Sequence, residues 1–404
     1  MVDIAAEYLY AYRAFVFKNI QLLPAFGRIA YQSLAADELG VHHISAVLLA
    51  HITEGRIAHI LHRRQQQREF SQVNISYSYA HAVYSWQKYE ILTDTVNIPY
   101  KELPADSKPM HPSLQFLLLV AILVVALIIG TVIGLVIVYA AFGMNTMEAI
   151  TTLNLNAPHF VSALWVVQFA GTTLPILATP VFFSFVVMHD PASYLRTSFR
   201  FPVQLLVIVL VITFFSFPLI EFLTNVNQHI ALPSWLKWLE ANQKNEEKLM
   251  TAMLSMKSIW DVIYDVLFIG LLTAVVEEFM FRGCLQTVFE RWTKNIHAAI
   301  WITAILFSAF HMDFYGFLPR VLLGALFGYF VAWSGSVWTS VWAHFLNNGT
   351  VVVVTYLYQS KHSKISPDDN HVFNYPAYTI SLIIILFLFW IYRRVALYNK
   401  PALQ

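Results

Sequence analysis

A small set of charged and amide side chains lies inside long apolar stretches of the sequence. An ionisable side chain at the centre of a membrane span costs at least about 2.5–3.5 kcal/mol, so such groups are candidates for function. They are Glu277, Glu278 and Arg282 in VVEEFMFRG, His311 at the end of FSAFH, and His344 with Asn348 in HFLNN.

The spacing within the first motif separates the two glutamates. Glu278 and Arg282 are four residues apart, so they share a helix face and can pair. Glu277 is rotated by about 100° from Glu278 and has no such partner. An unpaired carboxylate in a low-dielectric site holds its proton more tightly, which suits a general base. For Glu278 and Arg282, a purely structural ion pair is an equally good interpretation.

Distance along the chain predicts that three of these groups meet. Glu277 and His311 each lie 17 residues from Lys294, so an antiparallel hairpin turning there places both at the same membrane depth, about 20–25 Å from the turn. A later helix that begins near Val337, on the same side of the membrane as the turn, places His344 about 10–13 Å from that side. The depths agree loosely, and helix tilt can close part of the gap.

One carboxylate, two imidazoles and an amide are sufficient for peptide hydrolysis. The carboxylate can deprotonate water, and a histidine can position that water or protonate the leaving amine. Asn348 and a second imidazole can stabilise the oxyanion. Two alternatives remain at this point. A histidine in a helix is usually a packing or hydrogen-bonding group, and Glu–His sets also form proton relays in transporters.

Composition places the chain in a membrane. Of its 404 residues, 58% are hydrophobic and 12% are charged, whereas a soluble domain is nearer half apolar and a quarter charged. The formal net charge of +1 gives no case for nucleic acid as a partner. Because Cys284 is the single cysteine, an intrachain disulfide and a CxxC zinc site are excluded. The N-terminus has no pattern of a cleavable signal peptide.

The chain divides near Pro109. Residues 1–108 hold 10 of the 25 Lys and Arg residues and are predicted to be a mostly helical extramembrane segment of unknown role, with a possible strand over Ile75–Tyr79. Five histidines in it conceivably bind a metal, but a solvated helix face is the preferred interpretation, because no acidic or cysteine cluster supports coordination. These histidines are His42, His43, His51, His59 and His62.

Residues 109–404 are predicted to form an all-α, polytopic domain of about eight transmembrane helices, since their apolar runs are long and continuous. A weak excess of Lys and Arg on one side places both termini in the cytoplasm. The predicted spans are 114–142, 160–188 with a kink at Pro175 and Pro180, 202–224, 259–288, 297–313, two within 321–360 that fold at Ser334–Ser336, and 376–392.

The three motifs together resemble those of the CPBP (CAAX protease and bacteriocin-processing, or Abi) family of intramembrane proteases. The family pattern is EExxxR, then FxxxH, then HxxxN. Here Glu277-Glu278 with Arg282, Phe307 with His311, and His344 with Asn348 match it in that order. The resemblance covers about residues 255–358, and residues 1–108 have no recognised counterpart in it.

The resemblance implies an endopeptidase that acts on a membrane-anchored protein or peptide, with the lipid bilayer as its surroundings. In that family Glu277 would activate water, His311 would assist, and His344 with Asn348 would stabilise the oxyanion; Glu278, Arg282 and Phe307 would support them. Prenylated CAAX proteins are the best-known substrates. A non-catalytic partner protein, for example in bacteriocin self-immunity, would keep the same motifs. In a bacterial host the location would be the inner membrane.

The resemblance leaves one question about a cofactor. Members are often described as metalloproteases, and Glu277, His311 and His344 are a conceivable zinc set. The three residues come from three helices, and no HExxH motif is present. The expectation is therefore a glutamate-activated water without a bound metal, with zinc as the alternative.

Overall fold

A computed structural model describes residues 110–364, 366, 369 and 372–398. Throughout these residues the regular structure is helical, which agrees with the predicted all-α class. The expectations for residues 1–108, including the strand at Ile75–Tyr79 and the five histidines, lie outside the described residues.

Eleven helices of the described residues are labelled here in chain order. They are α1 Pro112–Phe142, α2 Met144–Thr152, α3 Phe160–Val187, α4 Pro191–Tyr194, α5 Gln204–Gln228, α6 Trp238–Met253, α7 Ile259–Thr293, α8 Ile296–Phe310, α9 Phe317–Ser334, α10 Trp338–Gln359 and α11 Tyr375–Tyr398.

Six of these helices are long and apolar enough to cross a membrane: α1, α3, α5, α7, α9 and α11. The other two predicted spans exist as helices, but α8 has 15 residues and is shorter than a usual span. Helix α10 has 22 residues and includes the polar HFLNN sequence. The protein is an integral membrane protein, whereas a total of eight crossings and cytoplasmic termini stay predictions.

Both turns that the motif argument used lie where the sequence placed them. Helix α7 ends at Thr293, Lys294 adopts φ 55°, and the side chain of Asn295 accepts a hydrogen bond from the N–H of Ala298 at 3.1 Å, which caps α8. Helix α9 ends at Ser334, and its cap residue is Gly335, whose φ of 75° favours glycine.

Helix α7 contains two π-helical segments, Val266–Leu272 and Phe279–Leu285. The intervening α-helical turns, Thr273–Glu278, carry both motif glutamates. Segments of this kind change which residues share a helix face, and they occur often at functional sites. In α3 a third π segment, Phe169–Thr173, lies directly ahead of the predicted kink at Pro175.

Helices α7 and α10 pack side by side in opposite directions, and glycine permits their close approach. A Cβ atom built on Gly270 would lie 3.5 Å from the Cα atom of Gly349. Towards the other end of the contact, the ring of Phe279 lies 5.6 Å from that of Trp338. The first and third motifs are therefore carried by neighbouring helices.

We expect Gly130→Ala to destabilise the fold and Gly134→Ala, one turn later on α1, to be tolerated. A Cβ atom on Gly130 would overlap the backbone carbonyl oxygen of Ala170 and lie 2.5 Å from Cγ of Pro175, whereas on Gly134 it would lie 3.5 Å from its nearest neighbours. Overpacking of this kind costs about 1–3 kcal/mol. Thermal unfolding in detergent measures both variants, and equal midpoints would contradict the packing of α1 on α3.

Candidate active site

Glu278 is the centre of a fully buried polar cluster. Its Oε1 atom accepts a hydrogen bond from Nη1 of Arg282 at 2.6 Å, and this ion pair joins residues four apart on α7. The same oxygen lies 2.8 Å from Nδ1 of His344 on α10. The predicted Glu278–Arg282 pair is confirmed, and it also holds the histidine of the third motif.

The guanidinium of Arg282 is enclosed by aromatic rings and by α9. Its Cζ atom lies 4.3 Å from the ring centre of Phe307 and 5.3 Å from that of Phe327. Its Nη2 atom donates to the carbonyl oxygen of Gly324 at 3.3 Å. A buried charge is tolerated when it is paired and hydrogen-bonded, and these contacts provide both conditions.

Phe307 orders the second motif. Its carbonyl oxygen lies 2.8 Å from Nδ1 of His311, and its ring meets the imidazole of His311 edge to face at 4.9 Å. The same ring contacts the imidazole of His344 edge to face at 6.0 Å. The four-residue spacing of the FxxxH motif thus lets one phenylalanine contact Arg282 and both histidines.

The carboxylate of Glu277 faces both imidazoles. Its Oε2 atom lies 3.8 Å from Nε2 of His344 and 3.9 Å from Nε2 of His311. The side chain of Glu277 is 18% exposed and that of His311 is 28% exposed, whereas Glu278 is fully buried. The structure therefore brings together Glu277, His311 and His344 at the edge of the buried cluster, where the His311 ring and part of the Glu277 side chain are exposed although Oε2 of Glu277 is inaccessible.

Hydrogen-bond partners fix the tautomers of the two rings. A carboxylate and a carbonyl oxygen only accept, so Nδ1 of His344 and Nδ1 of His311 are the protonated nitrogens. In the neutral rings both Nε2 atoms are then acceptors, and they face a third acceptor on Glu277. Their separations from Oε2 of Glu277 are too long for direct hydrogen bonds, but a water molecule, which has two hydrogens to donate, would bridge Glu277 to one of the two imidazoles.

The same three atoms fit a zinc ion less well. Imidazole Nε2 atoms whose Nδ1–H groups are held by a carboxylate or carbonyl are suitable zinc ligands. However, ligands at about 2.0–2.1 Å from a tetrahedral ion lie about 3.3 Å from one another, and the separations here are 3.8 and 3.9 Å. Within the described residues, no group of three His, Cys, Asp or Glu side chains has the arrangement of a metal site.

Asn348 lies one helical turn beyond His344 on α10. Its Oδ1 atom is 3.2 Å from Nδ2 of the neighbouring Asn347, which donates to it. Within the described residues, Asn348 forms no hydrogen bond with Glu277, His311 or His344. Its predicted role at the oxyanion therefore rests on its place in the motif.

Sequence reasoning placed His344 at too shallow a depth. It assumed that α10 begins at the same level as the Lys294 turn. Instead Trp338, the first residue of α10, lies against Phe279, which directly follows the glutamates. The helix begins inside the bundle, so His344 reaches Glu277 without the need for tilt.

Two residues that enclose the cluster were missed because their types are unremarkable in an apolar run. The ring of Phe327 lies 5.4 Å from that of His344 and beneath Arg282, and Gly324 supplies the carbonyl that Arg282 contacts. The spacing of Gly324 and Gly328, four residues apart, is typical of a helix-packing face and could have marked α9 as a neighbour of α7. Three further buried carboxylates in the described spans, Glu221, Asp265 and Glu290, were also passed over.

The segment that carries this geometry is similar to known proteins. Residues 259–350 match the model of the family described as "Type II CAAX prenyl endopeptidase Rce1-like". This match contains all three motifs and every residue of the cluster described above. Residues 259–350 are therefore similar to that family.

The Rce1-like family forms part of the CPBP group, so the resemblance seen in the motifs is confirmed for this segment. An uncharacterized protein, YpbD of Bacillus subtilis (strain 168), is 26% identical over 141 residues, which are 34% of this chain and 66% of that protein. The chain thus covers just under two thirds of the length of that relative. No solved structure matches the chain.

We expect Arg282→Gln to be strongly destabilising, because it leaves Glu278 as an unpaired buried charge. Breaking a buried pair costs about 3–5 kcal/mol. The double variant Glu278→Gln/Arg282→Gln removes both charges and should lose less stability than Arg282→Gln alone. Glu277→Gln replaces a partly exposed carboxylate, so its free energy of unfolding should lie within about 1 kcal/mol of that of the wild type.

Thermal unfolding in detergent compares these four proteins. If Arg282→Gln and Glu277→Gln were to lose the same small amount of stability, the buried cluster would not be the structural centre that these distances indicate.

Proposed function

We propose that the protein is an intramembrane endopeptidase in which Glu277 activates a water molecule to hydrolyse a peptide bond. The observation that carries the proposal is the convergence of Glu277 Oε2 and the Nε2 atoms of His311 and His344, at 3.8 and 3.9 Å. The similarity of residues 259–350 to a protease family supports this reaction at the coarse level. The proposed water donates one hydrogen bond to Oε2 of Glu277 and the other to Nε2 of His311.

In the first step Glu277 accepts a proton from this water, and the resulting hydroxide attacks the carbonyl carbon of the substrate. His311 assists by accepting a hydrogen bond from the water at Nε2. Its Nδ1–H group donates to the backbone carbonyl of Phe307, so Nε2 of the neutral ring is free to accept a hydrogen bond from the water. His311 therefore orients the attacking oxygen.

His344 has a different partner, and this gives it a different role. Its Nδ1–H group is held by the carboxylate of Glu278. In the proposed mechanism Nε2 of His344 carries a proton taken from solvent before the substrate binds, so that the ring donates to the oxyanion, and the side chain of Asn348 completes the donor set. Glu277 then returns its proton to the leaving amine, the C–N bond breaks, and a carboxylate and an amine leave.

We propose a membrane-anchored protein or peptide as the substrate. The glutamates lie on α7 and the cluster packs against α9, both of which are long and apolar enough to cross a bilayer, so a peptide bond reaches the cluster most readily when its chain is held at the membrane. The matched family is named for a CAAX prenyl endopeptidase, and a prenylated C-terminal segment is one substrate of this class.

Glu277→Gln should abolish cleavage while the protein remains folded. The change keeps the shape of the side chain and removes the base, and a positioned base contributes about 10²–10⁴-fold in rate. The measurement compares the terminal peptides of membrane proteins, by mass spectrometry, in cells that carry the wild type or the variant at equal protein levels. Glu246→Gln, at an exposed position on α6, is the matched control.

Specific terminal peptides that disappear with Glu277→Gln, and persist with Glu246→Gln, support the proposal and identify the substrate. If the peptide profiles are identical, and the Glu277→Gln variant still rescues a phenotype of gene deletion, the catalytic proposal fails and a non-catalytic partner protein is the better account.

Cleavage should also survive chelation of divalent metals, since the proposed base and the donors to the oxyanion are protein groups. The test measures zinc content and cleavage by the purified protein before and after treatment with a chelator. Zinc present at one ion per chain, lost together with activity and restored with it, would contradict the metal-free mechanism.

A further inference from the structure

The loop between α3 and α5 enters the interior of the helix bundle. Leu195 and Arg196 are buried, although they belong to a connecting segment. A Cβ atom on Gly283 of α7 would lie only 3.2 Å from the carbonyl oxygen of Leu195, so the loop packs directly on the helix that carries the glutamates. Loops usually run over the surface, because buried backbone groups need partners.

The side chain of Arg196 forms a second buried ion pair on α7. Its partner is Glu290, twelve residues beyond Glu278 on the same helix, and both side chains are nearly inaccessible. Gln286 lies between the two ion pairs. It donates through Nε2 to Glu290 Oε1 at 3.1 Å and to the carbonyl oxygen of Gly328 at 3.3 Å. The polar face of α7 is therefore continuous from Glu278 to Glu290.

The main chain of the same loop holds the beginning of α10. The carbonyl oxygen of Arg196 accepts from the N–H of Val337 at 3.0 Å. The next two carbonyl oxygens, of Thr197 and Ser198, accept from Nε1 of Trp338 at 2.8 Å and from Oγ of Ser336 at 2.6 Å. These three consecutive donors fix the start of the helix that carries His344.

Arg196 also has an unusual backbone conformation. Its φ of 56° lies in the left-handed region, which residues other than glycine, asparagine and aspartate seldom adopt. Such conformations persist when surrounding contacts determine them, and they cluster at functional sites. Here the conformation lets one residue contact α7 through its side chain and α10 through its carbonyl oxygen.

We propose that Arg196 is a positioning residue for the reaction: by joining Glu290 on α7 to Val337 at the start of α10, it sets the register of His344 against Glu277 and Glu278. The contacts form a closed ring, which runs from Arg196 to Glu290, along α7 to Glu278, across to His344 and back along α10 to Val337. The catalytic part of the proposal rests on the proposed function, but the structural part does not.

The structural part is tested by a disulfide that reports the register of α7 against α10. Gly270 and Gly349 are both replaced by cysteine in a chain that carries Cys284→Ala. A Cβ atom on either glycine meets its neighbours no closer than 3.5 Å, and one on Gly270 would lie 3.5 Å from the Cα atom of Gly349, so the formation of a bond between the two thiols is sensitive to the register of the two helices. With Arg196 present we expect rapid cross-linking under mild oxidation in the membrane.

Arg196→Gln should slow this cross-linking several-fold, and Arg291→Gln should not change it. Arg291 is the matched control, because it follows Glu290 on the same helix but contacts Gln115 of α1 and the ring of Tyr194. Cross-linking of Arg196→Gln at the wild-type rate would overturn the proposal, whether or not the protein is a protease.

The catalytic part is tested by kinetics with a third variant. Arg196→Gln leaves Glu290 unpaired, so part of its effect is a loss of stability. The double variant Arg196→Gln/Glu290→Gln removes both charges and should regain thermal stability, while kcat stays lower by about 10–100-fold with KM nearly unchanged, since small misplacements of catalytic groups have effects of that size.

Recovery of kcat together with stability in the double variant would show that the pair is structural only, and the positioning proposal would fail. Failure of the proposed function has a different signature, because cleavage would then be equal in wild type and Glu277→Gln, while the cross-linking result still decides the role of Arg196.

Discussion

The carboxylate of Glu278 is the group on which the site depends. It is fully buried and shares one oxygen between the guanidinium of Arg282 and the imidazole of His344. An ionised carboxylate away from water must be paired and hydrogen-bonded, so its position determines which side chains can surround it. Arg282 in turn needs the carbonyl of Gly324 and the faces of Phe307 and Phe327. The need to stabilise one buried charge therefore joins α7, α8, α9 and α10.

The neighbouring Glu277 has the opposite environment, although the two residues are adjacent in sequence. It lies at a partly exposed position and faces Nε2 atoms at distances too long for direct hydrogen bonds. The two π segments that flank Thr273–Glu278 alter the helix faces on either side of the pair. As a result Glu278 lies against α10 within the bundle, while the side chain of Glu277 keeps part of its surface exposed. A fully buried carboxylate and the proposed catalytic one are thus neighbours in sequence.

Much of this arrangement could be predicted from residue spacing, because helices convert sequence separation into distance. The i,i+4 spacing of Glu278 and Arg282 predicted their ion pair, and equal separations from Lys294 predicted that Glu277 meets His311. The depth of His344 could not be predicted in this way, since it depends on where α10 begins. That level is set by long-range contacts of the loop around Arg196 with Val337 and Trp338. Gly324 and Phe327 were missed for a related reason, as neither residue type signals chemistry in an apolar run.

The two histidines show how partners can differentiate identical side chains. Both rings donate from Nδ1 and direct Nε2 towards Glu277, but His344 donates to a carboxylate and His311 to a backbone carbonyl. Glu278 also pairs with Arg282, so His344 lies against a carboxylate whose charge is already shared with a guanidinium, whereas His311 has only an uncharged partner on Nδ1. In the proposed mechanism this difference in partners assigns His311 to the attacking water and His344 to the oxyanion.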